Sequence, residues 1–171
     1  LCEKNIKSKK EITVKKSLEI LNYAESGYKE IKTAEKVINT IKKVGQKNIQ
    51  SEIAITGIKT ELDTGKSGPN VAVIGELDAL PVPGHPNENK KNGYAHACGH
   101  HAQIGSMLTV LSGLSDKKIL SKLWGKITFL AVPAEEFVEI EWRNTLRKKG
   151  EVEFLAGKQE MIKLGAFDNV D

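Results

Sequence analysis

Residues 71–80 read "VAVIGELDAL", an apolar, β-branched run that ends in acids, Asp78 among them. A short continuous apolar stretch behind the turn residues "KSGPN" (66–70) predicts a buried strand whose carboxyl end opens onto a functional loop. A second stretch has the same form. "GKITFLAVPAEE" (125–136) runs apolar through Val132 and then ends in Pro133, Glu135 and Glu136. Between the two strands, Ile104, Met107, Leu108, Leu111 and Leu114 recur at helical spacing and close near Ser115–Asp116. Strand, helix, strand predicts an α/β fold: a three-layer sandwich with a mostly parallel or mixed sheet and helices on both faces.

The flanks fit that plan. "EITVKKSLEILNYA" (11–24) reads as a helix, broken at Gly27. Ile31, Ala34, Val37, Ile38, Ile41 and Val44 form one apolar stripe of a second helix, with Gly45 in the capping position. "SEIAITGIKTELDTG" (51–65) alternates like a strand with a bend in it, and "PVPGHPNENKKNGY" (81–94) is loop chemistry. The remainder from Phe137 reads as largely helical, broken near Gly150 and Gly157.

Charge is unevenly placed. Residues 1–50 carry twelve Lys against six Asp and Glu, so the overall +4 leaves the other residues acidic on balance. Because these lysines interleave with periodic apolar positions, solvated amphipathic helices explain them better than a nucleic-acid surface. No run is long enough to span a bilayer, and the opening residues lack a signal-peptide core, so a cytoplasmic location is expected. In such a compartment Cys98 is expected as a thiol or thiolate rather than as half of a disulfide with Cys2.

The chemistry collects between the strands. "HACGHH" (96–101) places three of the chain's four histidines and one of its two cysteines in six positions, on the expected loop before the helix. Ligands of open α/β sheets bind beyond the carboxyl ends of the strands, where "GELDAL", "HACGHH" and "PAEE" converge. Thiolate, imidazole and carboxylate together suit zinc or a similar divalent ion. Cys98 and His100 flank Gly99, so both side chains can face one ion. One Cys, one His and one Glu would leave a position open for water, and a neighbouring glutamate could take that water's proton. Taken singly, each member has a plainer explanation: Cys98 as a small buried hydrophobe, the glutamate pair as a solvated helix end, Asp78 as a turn cap, His85 as an exposed loop residue.

The segments "GELDALPVPG", "AHACGHHAQIG" and "VPAEE" resemble, in this order, motifs of the co-catalytic metallopeptidase family. That family includes N-acyl-amino-acid amidohydrolases of the aminoacylase and hippurate hydrolase types, and aminobenzoyl-glutamate hydrolases. The resemblance implies a metallo-aminopeptidase-like catalytic domain that binds two divalent ions (Zn2+, Mn2+ or Co2+). It implies that Cys98 bridges the two, that His100 and Glu136 are further ligands, that Glu135 is the general base and that Asp78 orients the centre. The reaction implied is hydrolysis of an N-acyl amino acid, an aminobenzoyl-glutamate-like conjugate or a small peptide by metal-bound hydroxide. A non-catalytic metal-binding or structural module on the same fold is the alternative.

Two departures stand out. His101 occupies a place where relatives commonly have Asp, leaving its role and that of His96 open. No histidine follows His101, and nothing corresponds to the family's lid and dimerisation domain. Residues 1–171 are therefore expected to be the amino-terminal part of a catalytic domain, with little turnover alone. The expected partner is a small-molecule substrate, with no nucleic acid or membrane, and the longer enzyme is expected to be a homodimer through the missing domain.

Overall fold

A computed structural model describes residues 2–171. Helix α1 (Cys2–Leu21) starts well before the predicted Glu11, and α2 (Ile31–Lys43) follows the predicted stripe, burying Ala34, Val37 and Ile41. Gly45, at φ +96°, donates its N–H to the Lys42 carbonyl and ends that helix.

The expected bent strand is instead a hairpin: β1 (Ile49–Ile53) and β2 (Gly57–Asp63), joined through Ala54 and Ile55 at positive φ. "AIT" lacks the Asn-Gly or Asp-Gly chemistry that announces a tight turn, which is why alternation alone suggested one strand. Gly57 lets the hairpin close, because a Cβ there would lie 2.5 Å from the Ile53 carbonyl oxygen.

Strand β3 (Asn70–Glu76) leads to the short pair β4 (Leu80–Pro81) and β5 (Tyr94–Ala95), then to α3 (His100–Leu114), α4 (Lys117–Leu120) and β6 (Lys126–Val132). Helices α5 (Ile140–Lys148) and α6 (Gly157–Lys163) complete the described chain. The sheet order is β1-β2-β6-β3, and it is mixed: β3 runs parallel to β6, while β2 is antiparallel to both of its neighbours. The parallel pair needs a crossover, which α3 supplies; the hairpin needs none.

Burial separates the two strands that the sequence made look alike. Central β6 is buried from Thr128 to Val132. Edge strand β3 leaves Val71 55% and Ile74 42% exposed, so the expectation of a wholly buried strand fails there. Along β6 the side chains alternate between two cores. Phe129 and Ala131 join Ile20, Val37, Ile41, Ile104 and Leu108 under α1–α3. Leu130 and Val132 join Tyr28, Leu146 and Met161 under α5 and α6. At about 1.5–3 kcal/mol per large apolar side chain, this double-sided burial fixes β6 as the axis of the sandwich. Among the described residues, no helix is long and apolar enough to cross a membrane.

Candidate metal centre

Because β3 and β6 are parallel and paired from Asn70↔Lys126 to Glu76↔Val132, both strands end at one edge of the sheet. Leu77 donates its N–H to the Val132 carbonyl at 2.8 Å, carrying the pairing one residue further. Asp78 follows, with 0% exposure. Its Oδ2 accepts the Glu136 N–H at 2.9 Å, so the end of β3 holds the acidic pair that follows β6.

His100 and His101 are not on a loop, as expected, but are the first residues of α3. Gly99, left-handed at φ +87°, precedes them and turns the chain into the helix. His100 is buried, and its Nδ1 lies 2.8 Å from the Asp78 carbonyl oxygen and 3.3 Å from Asp78 Oδ1. Both neighbours are acceptors, so Nδ1–H donates toward Asp78, and Nε2 faces the acids. Nε2 lies 3.0 Å from Glu76, 3.7 Å from Glu136 and 3.8 Å from Glu135. Burial opposes charge on this imidazole, but the hydrogen bonds and charge of Asp78, with Glu76, outweigh it and lift its pKa to about 9.

Cys98 is an exposed free thiol. Its hydrogen bond to Glu136, then burial and the nearby carboxylates, push it up to about 11. Glu76, His100 and Glu135 offer donor atoms that all lie within 4.8 Å of one another. The structure thus brings together His100, Glu135, Glu136 and Asp78 from the sequence set, with Cys98 hydrogen-bonded at its exposed rim. It also adds Glu76 and Lys158, which the sequence reading passed over. Glu76 had a signal: two residues from Asp78 on a strand, it shares a side with it. Lys158 on α6 had none; it pairs with Glu76 and lies 3.5 Å from Glu135.

The other histidines do not offer donor atoms to the Glu76–His100–Glu135 group. His96 and His101 face each other with ring centres 5.6 Å apart. Burial first, and then the other two histidines, lower His96 to about 4, so it is neutral at pH 7. His85 accepts the Asn87 N–H at 3.1 Å within its own loop.

The donors fit a divalent cation. Carboxylates, an imidazole and a thiol converge, and the imidazole is already anchored through its other nitrogen, as metal-ligating histidines usually are.

Known proteins resemble this chain in sequence and in fold. The chain is 31% identical over 115 residues to N-acetyldiaminopimelate deacetylase of Brevibacillus brevis, covering 66% of this chain and 29% of the deacetylase. It is 30% identical over 155 residues to thermostable carboxypeptidase 1 of Saccharolobus solfataricus, covering 89% of this chain and 35% of that enzyme. It therefore spans about a third of the length of these curated relatives. The crystal structure of the Bacillus subtilis YXEP protein, a dinuclear metal binding peptidase from the M20 family, superposes with a TM-score of 0.76. Identity there is 21%, over 96% of this chain and 42% of that one, so that likeness speaks for the fold. Residues 72–169, which contain every acid, thiol and imidazole of the cluster, match the pattern of peptidase family M20/M25/M40, and the chain belongs to that family.

Proposed function

We propose that this chain carries the metal-binding face of a hydrolase of amide C–N bonds, acting on N-acyl amino acids, related aryl conjugates or small peptides. The observation that carries the proposal is the convergence of Glu76, His100 and Glu135 beside the Cys98–Glu136 pair. The deacetylase and carboxypeptidase among its relatives support the substrate class.

Cys98, His100 and Glu136 would hold divalent ions, with zinc and manganese the first to try. Such ions supply Lewis acidity toward an amide carbonyl and make water more acidic. The chain's own groups do the rest. Asp78 fixes the His100 ring through Nδ1 and fixes the Glu136 backbone, so two donors keep their place as the site loads. His100 and Cys98 both hold protons near neutrality and must release them on loading. Glu135 is half-buried, open enough to reach a substrate. It takes a proton from the attacking water as the C–O bond forms and returns it to the departing amine as the C–N bond breaks.

The test is metal content by mass spectrometry, then hydrolysis of N-acetyl amino acids and hippurate with zinc or manganese added. Bound metal should vanish in the Cys98→Ser, Glu136→Gln double variant. Any turnover should vanish in Glu135→Gln while metal is retained. Metal that persists in the double variant would sink the assigned ligands, and turnover that survives Glu135→Gln would sink the assigned base.

A further inference from the structure

Arg143 has no part in the site described so far, yet it is the largest wholly buried side chain, with 0% exposure. It comes from α5, in the segment between "PAEE" and α6. An unpaired guanidinium at such depth is strongly unfavourable, so its neighbours matter. Nη1 donates to the Leu155 carbonyl at 2.9 Å and to the Ala134 carbonyl at 3.4 Å. Its Cζ stands 5.6 Å from the centre of the Tyr28 ring. Gly27 makes room for it: a Cβ there would collide with Nη2 and lie 2.7 Å from Ala134 Cα. Nε and Nη2 donate to nothing among the described residues, and Nη2 lies 4.0 Å from Asp78 Oδ2. That carboxylate is itself wholly buried and already engaged with His100 and Glu136.

We propose that Arg143 is a positioning residue of the metal centre: it is the buried counter-charge of Asp78 and holds that carboxylate on the His100 ring and the Glu136 backbone. Its effect on the ion rests on the metal-centre reading above; its pairing with Asp78 does not. Arg143 also accounts for the segment after the acidic pair, since α5 delivers one cation to the back of the site. The Ala134 carbonyl that it bonds belongs to a residue at φ +50°, next to Glu135. One side chain therefore steadies both strand ends.

The experiment combines a double-mutant cycle with zinc titration. Arg143→Met should lower the thermal midpoint sharply, because it strands the Asp78 charge. Adding Asp78→Asn should recover part of that loss, because the stranded charge is gone. Arg143→Lys should keep much of the midpoint. In calorimetric titration with zinc alone, Arg143→Met should bind about 10–100-fold more weakly than the parent chain, the loss expected when a ligand's support is removed. Simple addition of the two stability losses would overturn the proposal, reducing Arg143 to a clamp on two carbonyls. Unchanged zinc affinity in a folded Arg143→Met variant would overturn it as well. If the parent chain binds no zinc, the metal-centre reading fails, and the cycle still decides the Arg143–Asp78 pair. If Arg143→Met does not fold, Arg143→Lys and Asp78→Asn decide it: full zinc affinity in both would be fatal.

Discussion

Glu30 and Asp78 are both acids with 0% exposure, and both hold the same turn. Glu30, just before α2, accepts the Ala134 N–H at 2.8 Å; Asp78, just after β3, accepts the Glu136 N–H at 2.9 Å. Their surroundings differ. Glu30 has only neutral donors, Ala134 and the Thr56 hydroxyl at 2.6 Å, and burial raises its pKa to about 7. Asp78 has the His100 imidazole on one side and the Arg143 guanidinium on the other. Equal burial thus sets one acid among neutral donors and the other between an imidazole and a guanidinium.

Asp78→Ala is the harshest way to break the comparison. It strands the Arg143 charge and frees the Glu136 N–H, and should cost about 3–5 kcal/mol in urea unfolding, the range for removing one partner of a buried pair. A loss near that of an ordinary surface change would mean that Asp78 is not the counter-charge.

Glu30 should reveal itself through pH. Its folded-state pKa of about 7 lies above the ordinary 4.5. The native chain therefore holds this proton more tightly than the unfolded chain does. That advantage is complete below about 4.5 and is lost as pH rises through about 7, so this group makes stability fall across that window. The full effect is about 3 kcal/mol. Glu30→Gln keeps an acceptor for Ala134 and a partner for Thr56, and should flatten this part of the pH–stability profile. A profile with the same slope in the variant would remove Glu30 as the cause.

Glu76 lies between the two cases, buried but paired with the half-exposed Lys158. A cation seated among candidate ligands competes with a metal. Lys158→Met should therefore tighten zinc binding, by about twofold to fivefold, in keeping with the modest energy of half-exposed ion pairs. Weaker binding in the variant would mark Lys158 as a support rather than a competitor.

Much of the frame was legible in the chain. The apolar runs ending at Glu76 and Val132, the stripe on α2 and the small-apolar face of α3 follow from local periodicity, which backbone geometry imposes on any strand or helix. Less was legible where the signal depends on neighbours. The hairpin at residues 54–56 carries no tight-turn residues, and the exposure of Ile74 follows from β3 lying at the edge of the sheet. At the site, the crowding of "HACGHH" and the two acidic strand ends were visible, and three of those segments do meet. Glu76 was readable by alternation and was passed over.

By itself, the sequence determined where the titratable groups cluster along the chain and which strands carry them, because residue type and short spacing are local properties. Tertiary structure alone decided which charges meet. Glu30 reaches Ala134 across 104 positions, and Asp78 meets Glu136 across 58. No short-range pattern encodes such pairs. Packing on the two faces of β6 brings them together, and the burial that this packing imposes is what raises the pKa of Glu30.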